Sequence, residues 1–279
     1  MKNLRLHNLG TFKRVWVIGA VKGRASSLTV ISKKILEKQN LLDRLVFAGN
    51  IYGPTSSGKN FSAEALDEAL LLRSSFISNY SSDINDVVFL RGQYEELVDQ
   101  ARKLHISPNP KELVDWMYSR GLDSILSSYG IASNLLKNAS MDGAVALSRA
   151  STEIQESLAK HNGHYKYISA LKRLAFNEKK NVLVVSAGLA KDRPLEAQSD
   201  ELWWGGGFSN LDEPYGKTIR YIRGFDPENK GLASGKHGIT LDSGEKGILA
   251  ALFSSNGELI ETIQGWIVKN TKSVSIGGF

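Results

Sequence analysis

Three short apolar runs, each ending at a glycine, constrain the fold of this chain more than any other feature. They cover 14–19 (RVWVIG), 45–49 (LVFAG) and 87–92 (VVFLRG). Runs of this length that are rich in Val, Ile, Leu and Phe predict buried strands. Amphipathic helical patterns over 26–39 and 61–77 lie between them. We therefore expect an α/β sheet with functional loops at the strand ends.

The rest of the chain divides into a helical stretch and a strand-rich stretch. Residues 94–173 are mostly helical in pattern, including 111–120 and 143–158, and 181–188 (NVLVVSAG) returns to a buried strand. The last third contains short strand patterns separated by Gly, Ser and Asn turns. These patterns lie at 217–224, 237–242, 247–254 and 258–263. They predict a second sheet that packs on the first.

Composition excludes several classes of site and partner. The 279 residues include no cysteine, which rules out disulfides and thiolate metal sites. The net charge of +6 suits an acidic partner, a phosphate-rich ligand or a membrane surface, but it is not the dense basic stripe typical of nucleic-acid binding. Residues 1–14 lack the apolar core of a signal peptide, and no apolar stretch is long enough to span a bilayer. We therefore expect a cytoplasmic protein.

The loops that follow the three strands carry a resemblance to a known family. They read GAVKG, GNIYG and RGQYE, at 19–23, 49–53 and 91–95. Their order and spacing resemble the calcineurin-like metallophosphatases, whose motifs are G-D-x-H-G, G-D-x-x-D-R-G and R-G-N-H-E. The most similar branch includes bacterial serine/threonine phosphatases and the symmetrical diadenosine tetraphosphatase. Four later segments also resemble family motifs in the right order, at 116–130, 184–189, 216–227 and 239–252.

The resemblance covers about residues 12–260 and implies an architecture. It implies an α/β fold, a four-layer α/β/β/α sandwich of two mixed sheets, with a helical insertion. The whole chain, 1–279, is then a single metallophosphatase-like domain, and the helical cap or insertion spans about 96–175 within it.

The family's catalytic residues are missing from this chain. In the family, two metal ions bridged by an aspartate activate a water that attacks phosphorus. In the first loop, Ala20 and Lys22 replace the aspartate and the histidine, and in the second loop Asn50 replaces the bridging aspartate. In the third loop, Gln93 replaces the asparagine ligand and Tyr94 replaces the histidine that is the usual general acid. Further along, Ser186 replaces the histidine of V-H-A-G-L, and Phe225 replaces that of G-H-T-P. The second loop's phosphate-binding arginine has no counterpart, because 52–54 (YGP) replaces it.

These replacements predict a protein without metals or other cofactors. A neutral Asn50 cannot offset the repulsion between two dications, and the ammonium of Lys22 would repel a cation by several kcal/mol even at an effective dielectric of about 20. We expect a catalytically inactive pseudophosphatase that acts by binding a protein partner, as a regulatory, scaffolding or structural assembly component. The alternative is a binder, or a weak metal-independent hydrolase, of a phosphorylated ligand or nucleotide at the degenerate cleft. Tyr94 and Glu95 are the nearby groups such a hydrolase would use.

Three interpretations of Lys22 remain open at this stage. Its side chain could fill the old metal position and bind Asn50, Gln93 or Glu95. It could instead point to solvent. In the third interpretation, Lys22 and Arg223 together form a small anion-binding site.

A second motif competes with the resemblance. Residues 53–60 (GPTSSGKN) nearly match the P-loop pattern G-x-x-x-x-G-K-[ST], between a predicted strand and a predicted helix. Asn60 stands where the magnesium-binding Ser or Thr belongs. Nucleotide binding and an exposed loop are the two interpretations of this segment.

Other conspicuous residues have simpler interpretations. His161 and His164 could face one another on a helix or turn, but surface positions are expected. The pair at 203–204 (WW) forms either an exposed binding surface or a partly buried contact. Asp242 occupies a structural position of the family and is expected to be a turn residue.

Overall fold

Two mixed β-sheets form the centre of the protein. The computed structural model describes residues 5–54, 60–80, 83–206, 210–228 and 231–266. Its strands are β1 (Leu6–Asn8), β2 (Arg14–Ile18), β3 (Arg44–Phe47), β4 (Val87–Phe89), β5 (Leu174–Phe176), β6 (Val182–Val185), β7 (Arg220–Arg223), β8 (Ala233–Ser234), β9 (Gly238–Thr240), β10 (Gly247–Ser254) and β11 (Leu259–Trp266). One sheet has the order β11-β10-β2-β3-β4 and the other the order β1-β5-β6-β7-β9-β8.

Helices occupy the connections between the strands. In the described residues they are α1 (Ala25–Lys38), α2 (Ser62–Asn79), α3 (Gln93–Ala101), α4 (Pro110–Ser119), α5 (Leu122–Ser127), α6 (Leu135–Asp142), α7 (Ala144–Ala159), α8 (His164–Ala170) and α9 (Glu201–Trp204). Six of them, α3 to α8, fill the stretch between β4 and β5 that the sequence predicts to be helical. No helix in the described part of the chain is long and apolar enough to cross a bilayer.

Strand residues alternate between two apolar layers. Val15 and Val17 of β2 point into the layer between the sheets, where they join Val46 of β3. Trp16 and Ile18 point the other way, into the layer that the helices cover. This alternation follows from the two-residue period of a strand, and burial on both faces explains why the sequence shows continuous apolar runs.

The predicted fold class, a sandwich of two mixed sheets with helices outside, is confirmed. Strand bounds differ where turns intervene. The pattern at 217–224 yields only β7, because Thr218 donates its N–H to the carbonyl of Tyr215 (2.9 Å) in a turn that precedes the strand. The sequence did not predict β1, β5 or β8, which are two or three residues long and lack the longer apolar runs that indicated the other strands.

The parallel strands of both sheets direct their following loops to one place. Strands β2, β3 and β4 are mutually parallel, as are β6, β7 and β9. The loops after β2 and β7 meet where the N–H of Ala20 bonds the carbonyl of Gly224 (2.8 Å). Ligands of open α/β sheets bind at the carboxyl ends of strands, so this edge is where a site is expected.

Candidate functional site

The backbone of the loop after β3 packs closely against the loops after β2 and β4. Asn50 adopts a left-handed φ of 57°, and its carbonyl accepts the N–H groups of Val21 (2.9 Å) and Lys22 (2.8 Å). Gly92 lies so close that a Cβ there would stand 2.4 Å from the nitrogen of Asn50. A glycine at 92 is therefore required for the loops after β3 and β4 to meet.

The carboxylate of Glu95 holds these loops together. It is fully buried and accepts five hydrogen bonds. Its donors are the backbone N–H groups of Asn50 (2.8 Å), Ile51 (2.8 Å), Tyr52 (3.1 Å) and Gly92 (3.0 Å) and the hydroxyl of Tyr167 (3.2 Å). Burial raises the pKa of Glu95, and the backbone hydrogen bonds partly offset that rise. Glu95 is therefore a structural anchor of the loops.

The amide of Asn50 links three loops. Its Oδ1 accepts the backbone N–H of Tyr94 (3.3 Å), and its Nδ2 donates to the Oγ of Ser186 (3.4 Å). Asn50 and Ser186 are both fully buried. Two of the predicted degenerate positions thus lie in direct contact.

Apolar side chains occupy the first and last loops of the site. Ala20 and Phe225, both predicted degenerate positions, pack together with Ala187 in a small buried cluster. The ring of Tyr94 lies 6.5 Å from that of Phe225, centroid to centroid. The ammonium of Lys22 lies 4.6 Å from the centroid of the Phe225 ring, which is within cation–π range.

Lys22 forms a buried ion pair with Asp242. Its Nζ lies 3.3 Å from Oδ2 and 3.4 Å from Oδ1 of that residue. The carboxylate also accepts the backbone N–H groups of Asp226 (3.0 Å) and Gly244 (2.9 Å). Burial lowers the pKa of Lys22, and the charge of Asp242 partly offsets this.

This pair bears on the interpretations of Lys22 and on the expectation for Asp242. Lys22 does not point to solvent, since only 8% of the residue is exposed, and its charge partner is Asp242 rather than Glu95. Asp242 is more than a turn residue, because it joins loops that lie 220 positions apart in the chain. The sequence feature that could have indicated this partner is Asp242 itself, an acidic residue directly after the strand pattern that ends at 241.

Arg223 lies in β7 with its own carboxylate partner. Its guanidinium lies 3.3 Å from Asp226 and donates to the hydroxyl of Thr240 (2.7 Å). Because Lys22 and Arg223 are each matched by a carboxylate, little net positive charge remains at their positions to attract an anion. An anion site on these two residues stays a prediction, and the geometry does not favour it.

The residues present do not suit the two cations that the resemblance implies. Ala20 and Phe225 offer no ligand atom. The ammonium of Lys22 repels a cation, and the amide of Asn50 already bonds Tyr94 and Ser186. These residues therefore do not form a ligand set for two cations.

A cleft opens beside the closed site. Its volume is about 570 Å³. It is lined by Gln93, Tyr94, Trp116, Arg120, Asp200, Trp204, Phe225 and Pro227. Three of these, Gln93, Tyr94 and Phe225, are predicted degenerate positions, so part of the predicted site lines a cleft that is rich in aromatic rings.

The cleft lining also includes an aromatic pair with an arginine. The rings of Trp116 and Trp204 meet edge to face, with centroids 5.2 Å apart and planes at 68°. The guanidinium of Arg120 lies 4.4 Å from the centroid of Trp116 and 5.8 Å from that of Trp204. Sequence reasoning did not single out Arg120, although the i, i+4 spacing from Trp116 on α4 is a signal for such a contact.

The near-P-loop and Trp203 fall outside this site. Residues 55–59 of the near-P-loop lie outside the described residues. Asn60 is buried, and its amide donates to the carbonyl of Gly53 (3.0 Å) and the hydroxyl of Ser124 (2.9 Å), which gives it a loop-closing role. Trp203 is half-buried, with the guanidinium of Arg173 over its ring at 5.7 Å.

Replacement of Glu95 by Gln tests its anchoring role. A Gln amide would present N–H donors to backbone N–H donors. We expect a loss of at least about 2 kcal/mol in the free energy of unfolding, because each buried polar group left unpaired costs about 1–3 kcal/mol. Urea denaturation measures the loss. Glu112→Gln, on the exposed side of α4, is the matched control and should change stability by less than about 0.5 kcal/mol. Equal stability of the two variants would contradict the anchoring role.

Replacement of Lys22 by Met tests the buried ion pair. The change leaves Asp242 as a buried, unpaired charge, and we expect a loss of about 3–5 kcal/mol in the free energy of unfolding. The double variant Lys22→Met/Asp242→Asn should recover most of this loss. Because the native pKa of Lys22 is lowered, its contribution to stability should rise as the pH approaches 10.5 from below, so the difference in stability between wild type and Lys22→Met should grow over that range.

The control for this measurement is Lys246→Met, an exposed lysine in the turn after Asp242. It should change stability by less than about 0.5 kcal/mol. Full additivity of the Lys22 and Asp242 substitutions would show that the two groups do not interact.

Comparisons with known proteins place the fold. Neither protein-family models nor curated proteins give a match. A crystal structure of a proposed diadenosine tetraphosphatase is similar, with 18% identity, a TM-score of 0.53, and coverage of 94% of this chain and 99% of that one. Two further similarities are weaker.

One is a point mutant of a cold-active protein tyrosine phosphatase, at 13% identity and a TM-score of 0.42, with 93% and 82% of the two chains covered. The other is a serine/threonine phosphatase from Saccharomyces cerevisiae with similarity to human phosphatase PP5, at 14% identity and a TM-score of 0.42, with 90% and 80% covered. At this level of identity the first similarity speaks for the fold alone. Together with the order of strands and loops described above, it shows that the chain has the calcineurin-like metallophosphatase fold.

Proposed function

We propose that this protein is a pseudophosphatase, a non-catalytic protein with a phosphatase fold that acts by binding. The observation that carries the proposal is the content of the loop cluster. Where phosphatases of this fold would hold cations, the chain has the apolar contact of Ala20 with Phe225 and the ion pair of Lys22 with Asp242. A side-chain ion pair neutralises the site without leaving an open coordination position.

The remaining polar groups support the proposal because each already has a structural role. Glu95 accepts five hydrogen bonds and has no accessible surface from which to act as a base. Burial raises the pKa of Tyr94, which keeps its hydroxyl protonated at neutral pH. Within the described residues, the hydroxyl of Ser186 hydrogen-bonds the amide of Asn50 and no histidine, so a serine nucleophile lacks a general base.

A binding role fits the retained framework. The protein would serve a protein partner as a regulatory, scaffolding or structural assembly component in the cytoplasm. The cleft beside Trp116 and Trp204 is a suitable contact surface, since aromatic residues and arginine are enriched where proteins bind one another. Capture from native cells with wild-type protein and Trp204→Ala, followed by fractionation, identifies the partner and its location.

A phosphatase assay tests the absence of catalysis. We expect wild-type protein, with Mn²⁺ or Mg²⁺ added, to hydrolyse p-nitrophenyl phosphate and diadenosine tetraphosphate no faster than Asn50→Ala and Tyr94→Phe do. The variants are the control for a contaminating enzyme, because contamination gives the same rate in all three samples. Turnover that disappears in Asn50→Ala, or two bound metal ions per chain that this substitution removes, would contradict the proposal.

A second candidate function is the binding of a phosphorylated ligand or nucleotide in the cleft. The observation that favours it is the exposed guanidinium of Arg120 over Trp116, with no carboxylate within 4 Å of it among the described residues. Such a group can pair with a phosphate while the tryptophan rings stack on a base.

Thermal shifts test this candidate. If a nucleotide or phosphopeptide binds here, it should raise the melting temperature of wild-type protein but not of Arg120→Ala or Trp204→Ala. At a ligand concentration of one hundred times Kd the stabilisation is about 2.7 kcal/mol. Arg149→Ala, an exposed arginine on α7, is the matched control and should respond as wild type does. Equal responses in all four proteins would exclude the cleft.

A further inference from the structure

Three side chains with metal-ligating atoms meet between α2 and the start of α8. Asp67 lies on α2, His161 lies in the turn after α7, and His164 is the first residue of α8. Their ligand atoms all lie within 4.8 Å of one another. This is the one such group of three found in the described residues, and none of its members belongs to the loop cluster of the candidate site.

The turn itself brings the two histidines together. Gly163 has a left-handed φ of 85°, and a Cβ there would lie 3.1 Å from Leu70 of α2. This close approach places both imidazole rings beside α2. The rings of His161 and His164 stack, with centroids 4.9 Å apart and planes at 24°. The expected surface position is wrong for His164, which is fully buried.

We propose that Asp67, His161 and His164 bind one divalent transition-metal cation of the Zn²⁺ type. Imidazole nitrogens favour such cations, whereas Mg²⁺ and Ca²⁺ prefer sites made of oxygen atoms. Ligand bonds of about 2.0–2.2 Å separate neighbouring donors of a tetrahedral zinc site by about 3.4 Å. The Nε2 of His164 and Oδ1 of Asp67 already lie 3.0 Å apart. Rotation of the half-buried side chain of His161 closes the remaining gap.

The surroundings of His164 have the features of a built ligand. Its Nδ1 lies 2.8 Å from the hydroxyl of Tyr129, which lies 3.0 Å from that of Tyr52. Hydrogen bonding at the second nitrogen fixes the orientation of a ligating imidazole, as is usual at metal sites. The side chain of Asp67 is 55% exposed, so a cation has a path from solvent and a water can complete its coordination.

The site is connected to the loop cluster but does not depend on the proposed function. The ring of Tyr52 packs edge to face on Tyr167, at 5.8 Å, and Tyr167 donates to Glu95. A bound cation would therefore tie α2 to the turn after α7 and restrain the aromatic side chains that support the anchor. The competing structure is a metal-free chain of hydrogen bonds from Tyr52 through Tyr129 and His164 to Asp67.

Calorimetric titration of the untagged full chain with Zn²⁺, after treatment with a chelator, tests the proposal. We expect one saturable site per chain. Its affinity should fall at least about tenfold in His161→Ala and in Asp67→Asn. His105→Ala removes an exposed histidine elsewhere and should leave the site unchanged. Circular dichroism shows whether each variant is folded.

Two outcomes would overturn the site. One is the absence of saturable binding in wild-type protein. The other is binding of equal affinity in wild type, His161→Ala and Asp67→Asn, which would place the cation elsewhere. A second readout is the imidazole nitrogen resonances of His161 and His164, which should both shift on addition of one equivalent. Neither readout depends on phosphatase activity, so the site can fail while the pseudophosphatase proposal stands, and the reverse.

Discussion

The candidate site depends on the hydrogen bonds that the buried carboxylate of Glu95 accepts from the surrounding loops. A carboxylate removed from water is costly unless donors surround it, and here the loops after β3 and β4 supply four backbone N–H groups. The same bonds hold Asn50 in a left-handed conformation and bring Gly92 against it. The geometry of the loops is thus held by a buried acid that bonds their backbone. This explains how the loop framework can persist when the side chains around it differ.

Charge balance explains how the centre of the site closes. Two cations would require a bridging carboxylate, whereas this chain has one buried ammonium, Lys22, and one buried carboxylate, Asp242. Removal of two charges from water is repaid only when their geometry and further hydrogen bonds are good, and Asp242 has two backbone donors in addition to Lys22. Phe225 and Ala20 fill the rest of the space. The result is a core filled by a buried ion pair and two apolar side chains, at the edge where the loops after β2 and β7 meet.

Two features outside this core are accessible from solvent. The first is the cleft, which is lined by Trp116, Arg120 and Trp204 among others. On the helical side, hydrogen bonds run from Asp67 through His164 inward to the tyrosines that support the loops. Both features are available to a partner or a ligand, and neither requires the loop cluster to open. Functions based on binding are compatible with a rigid centre, because they need stable surfaces rather than reactive groups.

The sequence by itself determined the glycine loops and the strands with a clear apolar pattern, namely β2, β3, β4, β6, β7, β9, β10 and β11, while the resemblance assigned the residues at the metal-ligand positions. These depend on local periodicity and on motifs, both of which are visible along the chain. The tertiary structure decided which groups satisfy one another. Lys22 finds its carboxylate 220 positions away, and His164 is buried because Gly163 lets its turn approach α2. Such contacts arise from the packing of two sheets and their helices, which a single sequence does not specify through local pattern, and so the partners of charged residues could only be recognised in the folded chain.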